Sequence, residues 1–461
     1  MSINKNAITD TNASSPEPRI SEPPLSFKAF MKYLGPAFIF TAAQIGGGEL
    51  ITVPLLGAYL GMKALFLVPL IAYVKIFGQY YLVQYGVVRG KTFLETSWEK
   101  KWLRWMFFFL MLGCILHSMM LAGLLGQTAG TINFLFPTNV YIWVVVVLVV
   151  GFLIVVTRSY NLLEKTATVL LWLFLSLIVI VTLLFWPPWD QWVVGFSPNL
   201  PGPIKGLETS SGIMTIAVLF VVLGAGFGPT VSYIWYAKDK QMGMFEASAK
   251  GYDLKPEDLT TEEKRRLKGW KDVVLYQNLV SATILTIFSM FIWVAAAQTL
   301  HVEGSRPEGW DLIPQMVIIF TSTYGEWSGI LFILCGIFAL FSSVIGPFYG
   351  FSRLWEEALE KLGVHKRFKI SKVAVFRICL VFFASLPLIF IFIIARPMWL
   401  FSMSGILTGP ILGLVYIIPI IVSYQELKKN APELAPKRYW AICLAVFSGI
   451  AMIVLSLLGL G

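Results

Sequence analysis

The chain has 461 residues, 57% of them hydrophobic and only 13% charged, roughly half the ~25% charged share of a soluble protein. A water-soluble chain of this composition would leave much of its apolar surface without a core, which excludes a soluble enzyme, a nucleic-acid-binding protein and a disordered protein. The net charge of +10 does not call for an anionic partner, because the Lys and Arg fall almost wholly in loops on one side of a membrane, as set out below.

Residues 1–26 are polar and rich in Ser, Pro, Asn and Glu. They read as a disordered cytoplasmic tail with no signal peptide. Eleven apolar segments follow, at about 33–60, 63–87, 105–134, 139–157, 166–186, 212–237, 272–300, 327–350, 372–395, 399–423 and 438–460. They are continuous blocks long enough to span a bilayer as helices, not alternating strands of a β-barrel. The expected fold is therefore an all-α membrane protein of about 11 transmembrane helices. The stretch 311–323 is too short to span and is expected as a helix lying at the surface. The four cysteines, Cys114, Cys335, Cys379 and Cys443, lie far apart within apolar segments and read as packing residues, not as a disulfide framework or zinc site.

With the N-terminus inside, the basic residues concentrate in the inside loops. These hold Arg89 to Arg104, Arg158 and Lys165, the charged insert 238–271, Arg353 to Lys372, and Lys428 to Arg438. Outside fall only Lys63, Lys205, Arg306 and Arg396. The positive-inside rule then puts the C-terminus outside a cell (inner or plasma) membrane. The insert's KRRLK run, 264–268, reads as a solvated face beside anionic lipid.

Two spans carry glycine clusters at mid-depth. The first has Gly46, Gly47 and Gly48 followed by Glu49; the sixth has Gly224, Gly226, Gly228 and Pro229. Unwound backbone at that depth is tolerated where it lines a cavity or binds a solute, and matching interruptions in two halves point to a secondary-transporter site. Packing glycines are the alternative. The halves are repeat one, 33–186, and repeat two, 212–423, with 438–460 an extra helix.

Glu49 and Lys75 are the leading ionisable residues at membrane depth. Both fall about 20 Å below the turn near residue 62, at ~1.5 Å per residue, so a Glu49–Lys75 pair is geometrically feasible. A free Glu49 carboxylate would make a hard-cation site. A Lys75 on Glu49 would stand where a coupling cation would, or fix helix packing. His117, in the third span, is either a proton relay or a hydrogen-bonded packing residue. Gln44, Thr128, Thr230, Ser232, Ser342, Ser343 and Thr408 offer neutral oxygens, although membrane hydroxyls commonly bond their own backbone.

The opening GPAF, LGAGFGPT in the sixth span and FSSVIGPFYGF in the eighth resemble the natural resistance-associated macrophage protein family of divalent metal transporters. That family lies within the amino acid–polyamine–organocation superfamily, and the resemblance covers nearly all of 30–460. It implies an inverted 5+5 repeat with helices 1 and 6 broken, and a cation-binding pair at Ser342 and Ser343. The departures are specific. Where family transporters carry Asp-Pro-Gly-Asn, this chain has Gly46-Gly47-Gly48-Glu49. Where they carry Met-Pro-His, it has Gly228-Pro229-Thr230. The usual acidic residues of the third helix are absent.

The reading is a secondary active transporter that alternates access around the two interruptions and moves a divalent cation of the magnesium or manganese class, with or without proton coupling. The expected substrate-binding residues are Gln44, Gly46, Gly47, Gly48, Glu49, Gly226, Gly228 and Thr230, with Glu49 the metal ligand. Lys75, His117, Ser342 and Ser343 are coupling or gating candidates. Its partners are the cation, protons and membrane lipid; no cofactor or nucleic acid is expected. The rivals are a proton-coupled symporter of a small organic solute, such as an amino acid or carboxylate, and a transport-inactive sensor. No nucleophile–base pair or phosphate loop argues for an enzyme.

Overall fold

In hydrocarbon, every backbone N–H and C=O must find its partner within the protein, and a run of roughly 20 apolar residues does so as a helix. The computed structural model describes residues 19–460 apart from 25, 185, 199–200, 311, 318 and 322–324. Each of the eleven apolar segments is helical. In chain order these are α1 (Gly35–Leu60), α2 (Leu67–Arg89), α3 (Lys101–Leu135), α4 (Val140–Val156), α5 (Tyr160–Leu184), α6 (Gly212–Asp239), α7 (Thr261–Gln298), α8 (Glu326–Lys361), α9 (Lys372–Ile394), α10 (Pro397–Asn430) and α11 (Tyr439–Leu460). Among the described residues, eight of them are long and apolar enough to cross a membrane by length and composition. Of the other three, α2 carries Lys75, Gln79 and Gln84, and α4 has 17 residues. No strand occurs among the described residues.

The halves α1–α5 and α6–α10 pack in register. Helix α1 touches α6, α2 touches α7, α3 touches α8 and α4 touches α9. Contacts between counterparts are what an inverted repeat about an in-plane axis produces. Helix α11 lies outside this pairing, against α10, α2 and the first half of α6.

The two interruptions differ in form. Helix α6 is broken: one half, Gly212–Val222, ends, Leu223–Gly226 is non-helical, and the second half restarts at Phe227. Gly224 has φ +69°, a conformation glycine adopts without Cβ strain. Helix α1 is continuous instead. Ile45–Thr52 is wound as a π-helix, so the Gly46–Glu49 interruption is a widened turn and not an unwound gap. Such turns are rare and concentrate at functional sites.

Three boundaries are corrected. Residues 1–18 of the expected disordered tail lie outside the described residues, but 19–24 are anchored: Ile20 is fully buried, Arg19 pairs with Glu263 at 2.7 Å, and the Trp270 indole donates to the Ser21 carbonyl. Helix α7 takes up the last third of the charged insert, from Thr261, because Thr260 and Glu263 form a capping box at its start. In the 311–323 stretch, Leu312, Ile313, Met316, Ile319 and Phe320 are fully buried, so this short element packs into the bundle and does not rest on its surface. Cys114 and Cys379 are buried free thiols and Cys443 is an exposed one; the side chain of Cys335 lies outside the described residues.

Candidate functional site

The break in α6 leaves backbone groups without helical partners, and buried groups of this kind must be answered elsewhere. Side chains from three other helices answer them. Lys75 on α2 donates its ammonium to the carbonyls of Val221 at 2.9 Å and Leu223 at 2.6 Å. Gln44 on α1 spans the gap: its amide donates to the Val222 carbonyl and its oxygen accepts from the Gly226 N–H at 3.2 Å. Glu49 accepts from the Gly224 N–H at 3.0 Å, and its second oxygen accepts from Ser289 on α7 at 2.7 Å. Tyr416 on α10 donates to the Ala225 carbonyl at 3.0 Å. A cation at the C-terminal end of the first half-helix and an anion on an N–H beyond it also match the local dipoles.

Glu49 and Lys75 are therefore neighbours without forming an ion pair with each other. Lys75 is fully buried and Glu49 1% exposed, and each grips a different part of the same four-residue linker. The expected pair exists as two struts on one backbone segment.

A small cavity lies between α1, α3, α6 and α8. Its walls include Gln44, Gly47 and Gly48, His117, Val222 and Gly226, and Ser343. Its volume is about 20 Å³, space for about one water-sized group. Its polar side chains are the Gln44 carboxamide, the Ser343 hydroxyl and the His117 imidazole, beside apolar Ala43, Met120 and Leu124. Neither Glu49 nor Lys75 lines it. Among the described residues no group of three or more His, Cys, Asp or Glu could hold a metal, so any ion here would be met largely by neutral oxygens and one nitrogen.

The other expected residues divide between the cavity and its frame. His117 packs between Phe227 and Phe351, and its Nδ1 has no hydrogen-bond partner. A Cβ at Gly228 would collide with His117 Nε2, so the imidazole fills the space that a side chain at 228 would need. Gly46 abuts the Ala339 backbone of α8 and Gly48 abuts the Val222 carbonyl. The Ser342 hydroxyl donates to Ala339 at 2.7 Å and Ser343 reaches the Ala42 and Ala339 carbonyls at 3.4 Å, the backbone bonding usual for membrane hydroxyls. Thr230 is buried on the second half of α6 and does not line the cavity. Ser289 and Tyr416 were not expected. A lone Ser in α7 and a lone Tyr in α10 carry no local signal, because only packing brings them to the break.

Gly228→Ala is expected to destabilise the protein by about 1–3 kcal/mol by forcing His117 off the cavity wall. Unfolding in mixed micelles checks this against Gly405→Ala, where the added methyl meets only ordinary contacts at 3.5 Å. Equal effects would show that His117 moves freely.

The end of the bundle that carries the basic loops is closed by ion pairs. Arg353 bridges Asp239 at 2.7 Å and Glu356 at 2.8 Å, and Arg158 joins Glu356 at 2.7 Å. Glu357 accepts from Thr92 at 2.6 Å and from the Trp235 indole at 2.9 Å. These contacts tie α6 and α8 to the segments after α2 and α4 below the cavity.

Comparison with known proteins places this geometry. The family model described as natural resistance-associated macrophage protein-like matches residues 37–460. No curated protein matches the sequence. Among solved structures, a variant of the Eremococcus coleocola manganese transporter superposes with a TM-score of 0.71 at 13% identity, covering 95% of this chain and 88% of that one. A second variant of that transporter gives 0.72 at 12% identity, covering 98% and 90%. MhsT in complex with L-phenylalanine gives 0.54 at 15% identity, covering 95% and 99%. At these identities the likeness is one of fold.

Proposed function

Because this chain belongs to the natural resistance-associated macrophage protein-like family, we propose that it is a secondary transporter moving a divalent metal cation of the magnesium or manganese class by alternating access. The observation that carries the reading is the cavity of about 20 Å³ at the break of α6, where Gln44, Ser343 and His117 are set in a wall otherwise made of glycines and apolar residues such as Met120 and Leu124. Oxygen donors suit magnesium, calcium and manganese, and a single imidazole suits the softer end of that range. The manganese transporter named above has the same fold and supports the choice of cargo class.

In this reading Gln44, Ser343, His117 and the backbone beside Gly47, Gly48 and Gly226 meet the ion. Gly46 and Gly228 make the room, and Thr230 supports the second half-helix. Glu49 acts by bracing the break, and in this reading its carboxylate serves as a metal ligand in another conformation. Lys75 places its Nζ on the half-helix carbonyls, where a coupling cation would otherwise sit, which favours protons over sodium as the coupled ion. The basic loops and N-terminus face the cytoplasm and the C-terminus faces outside, with the Arg353 ion pairs as the inner closure. The repeats, 33–186 and 212–423, move against each other about the break.

Flux into proteoliposomes tests this. Manganese, magnesium and calcium are offered in parallel, with and without a pH gradient, to wild type, Gln44→Ala and Glu49→Gln. Saturable uptake of at least one cation is expected, reduced about tenfold or more in both variants. Absence of uptake of every cation by folded wild-type protein sinks the reading. An amino-acid and carboxylate panel then decides between an organic-solute symporter and a transport-inactive sensor. The cavity as it stands is too small for such solutes.

A further inference from the structure

A second polar recess lies well away from the break, at the end of the bundle that carries the basic loops. It is a cavity of about 220 Å³ between α2, α7 and the linker Ala431–Arg438, far more than one water needs. Lys268, Lys271, Lys437 and Arg438 line it against only Asp272 and Glu433, a formal excess of two positive charges (four minus two).

Both acids are already engaged. Asp272 accepts from Arg438 Nη2 at 2.7 Å and Glu433 lies 3.5 Å from Lys264. Lys271 pins the linker by donating to the Leu434 carbonyl at 2.8 Å. Lys268 and Lys437 have no ion-pair partner among the described residues. Two buried polar atoms in the same wall are unpartnered: Arg438 Nη1 and the carboxamide oxygen of Gln84, a residue only 2% exposed. Turned over, the Gln84 amide presents its NH₂ instead. An orphaned guanidinium N–H, a buried amide and two ammonium groups without an ion-pair partner among the described residues surround one recess, a donor set suited to an anion.

We infer that this recess binds a phosphate ester, held by Arg438 Nη1, Gln84, Lys268 and Lys437, and that its source is the headgroup of an anionic phospholipid. The depth argues for the lipid. Tyr439 and Trp440, directly after Arg438, are 76% and 58% exposed, as aromatic residues at headgroup level are. Basic pockets between membrane helices on the cytoplasmic side are suited to such headgroups. The KRRLK run thus divides: Arg265 and Arg266 pair with Glu262, while its last residue, Lys268, lines the recess.

The test uses purified full-length protein in detergent. Binding of short-chain phosphatidylglycerol, phosphatidylcholine and glycerol 3-phosphate is measured by native mass spectrometry and by thermal unfolding. The variants are Lys268→Gln/Lys437→Gln and, as a control at the same end of the bundle, the exposed pair Lys366→Gln/Arg367→Gln. Wild type is expected to prefer phosphatidylglycerol to phosphatidylcholine. The recess variant is expected to weaken phosphatidylglycerol binding roughly 30-fold, at about 1 kcal/mol per lysine, with the control unchanged. Glycerol 3-phosphate binding as tightly as the lipid would support the phosphate-ester site and assign it to the soluble pool. No preference for the anionic lipid, or equal losses in both variants, would overturn the inference. Unfolding without ligand shows whether the recess variant is folded, and the single Lys437→Gln, a residue that bridges nothing, repeats the test with a smaller loss.

Discussion

Lys75→Met is expected to cost the folded protein about 3 kcal/mol and to reduce uptake below a tenth of wild type. The ammonium is fully buried and donates to two carbonyls of the α6 break. Methionine leaves both unpartnered, at about 1–3 kcal/mol each. Part of that loss is offset because a buried ammonium no longer has to be kept out of water. It also leaves Glu49 holding the same linker without its counterpart on the other side. The double variant Lys75→Met/Glu49→Gln is therefore expected to lose less than the two single variants together, by about 1–3 kcal/mol. Glutamine can still accept from the Gly224 N–H and donate to Ser289. Unfolding of all four proteins in mixed micelles measures the coupling, and flux measures the activity. Strict additivity, with Lys75→Met as stable as wild type, would falsify the view that the two residues brace one segment from opposite sides.

The glycine triplet of α1 gives the second large effect, and an internal control. A methyl at Gly46 would run into the Ala339 carbonyl of α8, a backbone atom that cannot rotate away. At Gly47 the nearest atom is a Leu124 methyl at 3.4 Å. Gly46→Ala is expected to destabilise by about 3 kcal/mol and to stop transport, because α1 and α8 could no longer approach. Gly47→Ala is expected to fold as well as wild type, since alanine recovers up to about 1 kcal/mol of helix propensity. A similar loss at both positions would mean that the π-helical turn requires glycine for its backbone and not for its contacts. Gly48 abuts the Val222 carbonyl, so its alanine variant is expected to resemble that of Gly46.

Much of this architecture can be read in the chain. Hydrocarbon removes water as a hydrogen-bonding partner, so each spanning segment declares itself as a continuous apolar run, and all eleven runs are helices. The same rule makes a glycine cluster at mid-depth conspicuous, and both clusters mark the interruptions that frame the cavity. Gln44, Glu49, Lys75 and His117 stand out because polar side chains at that depth need a reason.

What those side chains do follows from how the helices pack. Glu49 and Lys75 share a depth, but depth does not fix which way a side chain faces. A regular helix has a phase that spacing reveals; a π-helical turn shifts that phase, and Ile45–Thr52 turns Glu49 toward Gly224 and Ser289. The partners of the break come from α1, α2 and α10, up to 191 residues from the groups they touch, with Ser289 of α7 behind Glu49, and no local pattern marks Ser289 or Tyr416. His117 reaches the cavity because residue 228 has no side chain, a relation between two helices that neither segment displays alone. Composition along the chain already marks where the backbone may cross the membrane and where it may be interrupted, because solvent imposes both residue by residue. Only the packing decided which side chains hold the interruption and which face the cavity, because that depends on the rotation of each helix against its neighbours.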